Sequence, residues 1–219
     1  NFDENCVTDA SKLMLESWSM KKLLAIVVLG LLWSNTSLGN DPNSCDGISQ
    51  KAIKAMMIKD YPTAFKFANE SITKEKEACA DFILGVLYFE GWGVEKNEAK
   101  GLNYYKLGAE KGHDQAQKFL ATAYYKGIGT ERNPKEAAQL FKKLAEKNNA
   151  NGQTYLAYMY SAGDGINQDL ILSYMWFFVV SKQYPEPANS ELKKLENVMS
   201  EVDIKKAVKM GDAWLSKNK

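Results

Sequence analysis

Few side chains in this 219-residue chain are equipped for chemistry. It holds 3 cysteines and 1 histidine. Cys6 sits near the N-terminus, which leaves Cys45, Cys79 and His113 as the reactive set. Two thiols and one imidazole are too few for a closed metal site, so neither metal nor other cofactor is expected. An imidazole can serve as a general base near neutral pH. His113, however, falls between two helical segments and reads as a surface turn residue without a catalytic task. No Gly-x-Ser-x-Gly elbow is present, and no Ser-x-x-Lys accompanied by its partner motifs. With no nucleophile beside a base, the chain reads as a non-enzyme. Basic and acidic side chains nearly cancel, 28 against 27. Arg132 is the sole arginine, and arginine is the side chain suited to bidentate phosphate contacts. The electrostatic footprint of a nucleic-acid binder is missing.

What the chain has in place of a reactive constellation is a period. Ala80-Asp-Phe-Ile-Leu84-Gly85-Val-Leu-Tyr88-Phe-Glu-Gly91-Trp-Gly93 recurs as Ala116-Gln-Lys-Phe-Leu120-Ala121-Thr-Ala-Tyr124-Tyr-Lys-Gly127-Ile-Gly129. It recurs again, at the same spacing of 36, as Gly152-Gln-Thr-Tyr-Leu156-Ala157-Tyr-Met-Tyr160-Ser-Ala-Gly163-Asp-Gly165. A fixed period of this size marks a repeat array, in which each unit buries its apolar face only against its neighbours. Such arrays present an extended surface and work mainly by binding. At 45% hydrophobic content the chain can fill one continuous core.

Each unit reads as helix, turn, helix. Ala80, Leu84, Leu87 and Tyr88 lie on one helical face. The paired glycines then end the helix, because the chain must take positive φ and turn back within a few residues. Asn97, Asn133 and Asp169 are suited to cap a second helix, and Pro134 fits its first position. Each second helix opens on a small residue and closes on an aromatic: Gly101 to Tyr105, Ala137 to Phe141, Ser173 to Phe177. The expected units are 80–115, 116–151 and 152–187, preceded by a degenerate unit at 44–79 and followed by a C-terminal cap at 188–219. Trp176 to Val180 is apolar enough to suggest a membrane, but as an inward second helix it reads as core. Trp92, between two turn glycines, reads either as a partner-facing aromatic or as packing over the neighbouring hairpin.

The first forty residues do not fit this pattern. Met20-Lys21-Lys22 opens a short positive region, Leu23 to Trp33 is apolar, and small residues lead up to Gly39. That is the layout of a bacterial secretory signal over 20–39, and the apolar run is short for a bilayer span. Residues 1–19 read as an extension upstream of a start at Met20, and 40–219 as the repeat domain. Cleavage after Gly39 is expected, with retention as an inner-membrane anchor as the alternative.

The pattern from Ala80 to Val94, completed by Gly101-Leu102-Asn-Tyr104-Tyr105 and Ala109-Glu-Lys-Gly112, resembles the Sel-one-like repeat family, relatives of the tetratricopeptide repeat. The resemblance covers roughly residues 80 to 183 and implies an all-α fold, a right-handed α-solenoid of helix-turn-helix repeats. It also implies an adaptor for protein complexes, often at or beyond the bacterial inner membrane. Some cysteine-rich secreted relatives bind or slowly hydrolyse β-lactams. This chain lacks their cysteine pair in every repeat.

In tetratricopeptide-like solenoids the face opposite each first helix's buried stripe lines a concave groove. Here that face reads Phe82, Val86, Phe89, then Lys118, Thr122, Tyr125, then Thr154, Tyr158, Ser161. An aromatic, near-neutral stripe of this kind is expected to hold a protein or peptide partner, unless a tight superhelix packs it into the core. The register also places Cys45 and Cys79 near the starts of consecutive parallel helices, so a disulfide is expected in an exported chain. The combined expectation is an exported, periplasmic or secreted interaction scaffold of the cell envelope that meets the membrane only through its signal segment. The rival expectation is a hydrolase of β-lactam or peptidoglycan-related material.

Overall fold

The computed structural model describes residues 43, 45, 47–74 and 78–218. The expected signal segment and upstream extension lie outside the described residues. Ten helices and no strands run through the described chain: α1 (Gly47–Met57), α2 (Tyr61–Lys74), α3 (Ala78–Glu90), α4 (Glu98–Glu110), α5 (Asp114–Lys126), α6 (Pro134–Glu146), α7 (Ala150–Ala162), α8 (Leu170–Ser181), α9 (Pro185–Glu196) and α10 (Glu201–Lys217). From α1 to α8 each packs on its successor, α10 packs on α8, and α1, α3 and α5 also meet as consecutive first helices of their hairpins. The result is an α-solenoid. No helix of the described residues is long and apolar enough to cross a membrane.

The expected caps form. Asn97, Asn133 and Asp169 accept from the backbone N–H three residues on, at 2.9, 3.3 and 2.9 Å. Helices α3, α5 and α7 then each end on a left-handed glycine, Gly91 at φ 73° and Gly127 and Gly163 both at φ 70°. The second glycine of each turn does a further task. At Gly165 (φ +73°) a Cβ would lie 2.3 Å from the backbone of Pro134. This turn therefore rests directly on the start of the previous unit's second helix, and only glycine lets two backbones approach so closely. Trp92 stacks on Tyr61 at 4.9 Å, so the turn tryptophan packs on the neighbouring hairpin.

Between layers the load falls on the aromatics that close the opening segments of the second helices. Tyr105, Phe141 and Phe177 are almost wholly buried. Phe141 stacks on Tyr155 at 4.5 Å as Tyr105 does on Phe119 at 5.3 Å, one unit earlier. Such ring pairs add to the area they bury. Gly85 makes room for this scheme, since a Cβ there would sit 2.5 Å from the Tyr105 ring.

Both ends are closed. At the N-terminal end Cys45 and Cys79 form a disulfide, Cα to Cα 5.5 Å, joining the approach to α1 to the start of α3. At the other end α10 lies on α8, with Trp214 edge-on to Trp176 at 5.5 Å and Gly211 against Phe178. Helix α9 begins at Pro185, earlier than the prolines suggest, with a non-helical Glu186 (φ −108°, ψ 135°) after its first residue.

Candidate interaction groove

The stripe expected to line the groove divides in two. In its first unit Phe82, Val86 and Phe89 are 3%, 0% and 6% exposed. These three are core, which corrects the expectation that they face a partner. The physical reason is size and company. The Phe82 ring packs against His113 at 4.8 Å, Phe119 at 5.9 Å and Tyr105 at 6.0 Å, and Phe89 packs against Tyr105 at 5.9 Å. Large rings here fill the space between α3, α4 and α5, so a continuous strip from Phe82 through Phe89 and Tyr125 to Tyr158 does not reach solvent.

In the next two units the equivalent side chains are smaller or polar, and the stripe opens. Thr122, Tyr125, Thr154, Tyr158 and Ser161 are half-buried. Tyr125 rests edge-on to Tyr155 at 5.9 Å, with the Arg132 guanidinium 5.6 Å from its ring, and Arg132 itself pairs with Asp164. Tyr158 meets Phe177 edge-on at 5.0 Å. Its hydroxyl donates to Glu191 of α9, and burial followed by that carboxylate raises its ionisation well above the phenol range. Helix α9 thus reaches the groove at its C-terminal end.

Lys118 is the exception on this stripe. It is 8% exposed, and burial lowers its ammonium from 10.5 to about 8. The ammonium lies 5.4 Å from the Phe119 ring. No acidic side chain of the described residues pairs with it. The two threonine hydroxyls nearby on the stripe are committed to their own helices, Thr122 donating to the Lys118 carbonyl at 2.9 Å and Thr154 to the Ala150 carbonyl at 2.8 Å.

His113 is not the surface turn residue it was expected to be. It is 0% exposed and caps α5, its Nδ1 accepting from the Ala116 amide at 3.2 Å. Asn149, one period later, caps α7 in the same way. That equivalence was visible in the sequence as a signal for the cap. Ligand atoms of Cys45, Cys79 and His113 lie within 4.8 Å of one another. The arrangement does not suit a metal, because the sulfurs are joined. An Nδ1 that accepts from an amide also leaves the proton of a neutral ring on Nε2.

The periodic hairpins, turn glycines and interlayer aromatics agree with the comparisons. The family model for the Sel1 repeat matches residues 80–113, 114–149 and 150–178. The chain carries three Sel1 repeats. It is similar to the solved structure of c5321, a protective antigen present in uropathogenic Escherichia coli strains and displaying this repeat fold: 25% identical, TM-score 0.64, covering 78% of this chain and 37% of that one. It is also similar to a Sel1 repeat protein from Oxalobacter formigenes: 27% identical, TM-score 0.60, covering 67% of this chain and 58% of that one. The chain thus spans less than two thirds of either neighbour's length. No curated protein matches it. Sel1-repeat proteins generally mediate protein–protein interaction, and the fold is a typical non-enzymatic scaffold.

Proposed function

We propose that this protein is an exported interaction scaffold of the bacterial cell envelope, and that it holds a protein or peptide partner along the open part of its stripe. The observation that carries the reading is the change at the second unit. A face that is solid core at Phe82, Val86 and Phe89 becomes a half-exposed strip at Thr122, Tyr125, Thr154 and Tyr158. Half-buried tyrosines held rigid by ring contacts suit binding, since they offer large contact area at little entropy cost. Export is supported by the signal-like stretch at 20–39 and by a disulfide, which persists in oxidising compartments. A periplasmic or secreted site follows, with membrane contact limited to the signal segment.

The test is capture from envelope extract by the wild type and by Thr122→Arg/Thr154→Arg, which fills the strip with bulk and charge. Loss of the captured partner, with a melting curve close to wild type, is the expected outcome. Undiminished capture by a folded double variant would move the binding face elsewhere. Export is tested by N-terminal sequencing of the protein recovered from the periplasm, where Asn40 is expected as the first residue and a retained Met20 or Lys21 would favour the anchor.

A further inference from the structure

We propose that the partner is an acidic peptide segment, and that one Asp or Glu carboxylate of it docks on the ammonium of Lys118. The inference rests on the groove reading above and names the chemistry the groove selects.

Six cations of the described residues sit in ion pairs, and Lys126 is half-buried. Lys96, Lys111, Arg132, Lys147, Lys194 and Lys205 are all exposed, and each has a carboxylate partner. Solvent already stabilises those cations, so the pairs add little except at Lys111, whose partner Asp81 is buried. Lys118 is the reverse: 8% exposed, and without an acidic partner among the described residues. A charge held that way costs folding free energy, and the solenoid has no need of it. The equivalent positions one unit away on either side hold Phe82 and Thr154, and the same helix forms around each.

The geometry lets the charge be used. Lys118 shares its stripe with Thr122 and Tyr125, both half-exposed. Lys118 keeps a small part of its surface, 8%, in contact with solvent beside these two. With both threonine hydroxyls committed to helix carbonyls, the Lys118 ammonium is the charged donor left for a ligand on this part of the stripe, beside the Tyr125 hydroxyl. A carboxylate reaching it forms a charge-assisted hydrogen bond in surroundings that screen it poorly. The desolvation that burdens the free protein has by then been met, so a partner acid gains more here than at an exposed lysine. Glu191, bonded to Tyr158 at the far end, disfavours a run of negative charge. The complementary ligand therefore carries one acid at the Lys118 end and apolar or neutral residues toward Tyr158.

The experiment is selection of a phage-displayed random 12-residue peptide library on the full chain. It is followed by synthesis of the enriched peptides with and without their acid (Glu→Gln or Asp→Asn), and binding to wild type, Lys118→Met and Thr154→Arg. The expected result is a shared acidic position whose amide twin binds wild type at least ten-fold more weakly. Acid and amide forms should bind Lys118→Met equally. Melting curves confirm that each variant is folded. Enriched peptides that share no acid, an amide twin that binds wild type equally, or an acid preference that survives in Lys118→Met overturns the carboxylate inference. In those cases the groove reading stands if the same peptides are lost on Thr154→Arg. If no peptide enriches, or enriched peptides bind Thr154→Arg undiminished, the groove reading falls and the inference falls with it.

Discussion

Lys118 and Phe82 stand at equivalent positions of successive repeats, and the contrast between them decides how the stripe behaves. Burial holds the Lys118 ammonium near 8 where the unfolded chain would hold it near 10.5. A lysine whose ionisation is lowered by folding destabilises the native state wherever it must stay charged. That burden is complete below about 8, is relieved between about 8 and 10.5, and is gone above. Lys118→Met should therefore raise stability at pH 7 by on the order of 2–3 kcal/mol, and the gain should shrink as pH climbs through that window. Denaturant melts of both proteins at pH 7 and pH 10.5 check it; a constant gain, or a loss at pH 7, contradicts the assignment. Phe82→Ala should behave in the opposite way, costing about 3–5 kcal/mol because a buried ring is removed from a packed cluster. Nothing in the period distinguishes these two positions. The sequence makes the stripe visible, but whether a member of it is core or groove depends on whether its bulk closes the gap between α3, α4 and α5. Phe82 does so by meeting His113, Tyr105 and Phe119 together, a three-way contact that spacing alone does not reveal.

Helices, their order and their caps were legible because glycine, asparagine and proline act locally and recur with the period. The turn glycines illustrate this, and Gly165 shows what it costs to ignore them. Gly165→Ala places a side chain at φ +73° and drives its Cβ to 2.3 Å from the Pro134 backbone. Left-handed strain alone is worth about 1–2 kcal/mol, so the total loss should exceed it, measured as a lower denaturant midpoint. A loss within experimental error would mean that the turn does not rest on the preceding unit. The disulfide acts at the same scale. It closes a sequence separation of 34, and for a loop of that length the stabilisation is about 3–4 kcal/mol. The α1–α2 hairpin otherwise meets α3 and its turn through ring contacts, Phe65 on Tyr88 at 5.7 Å and Tyr61 on Trp92 at 4.9 Å, and is tied within itself by the Ser49–Ser71 hydroxyl contact at 2.7 Å. In Cys45→Ser/Cys79→Ser, native-state hydrogen exchange should show α1 and α2 losing protection while α5 to α8 keep theirs. Uniform loss along the chain would show that the bond stabilises the solenoid as a whole. His113 was the element-scale feature most easily misread. A lone histidine in a turn suggests solvent, and only its equivalence to Asn149 one period on identifies it as a cap.

Taken as a whole, the molecule is an array closed at both ends and open along part of one face. The N-terminal disulfide hairpin and the α9–α10 cap cover the apolar ends that a solenoid would otherwise expose, and α9 also sets the far limit of the strip by taking the Tyr158 hydroxyl. On the proposed reading interaction falls on the first helices of the second and third repeats, α5 and α7, while α8 lies enclosed by α7, α9 and α10. The period suggested a binding protein, but which part of the stripe stays open emerged only from packing. Hydrogen–deuterium exchange on the full chain, alone and with the partner captured from envelope extract, tests this most directly. Added protection over α5 and α7, centred on residues 118–125 and 154–161, with α4 and α6 unchanged, is the predicted result. Protection on α4 and α6 with α5 and α7 unchanged would contradict it.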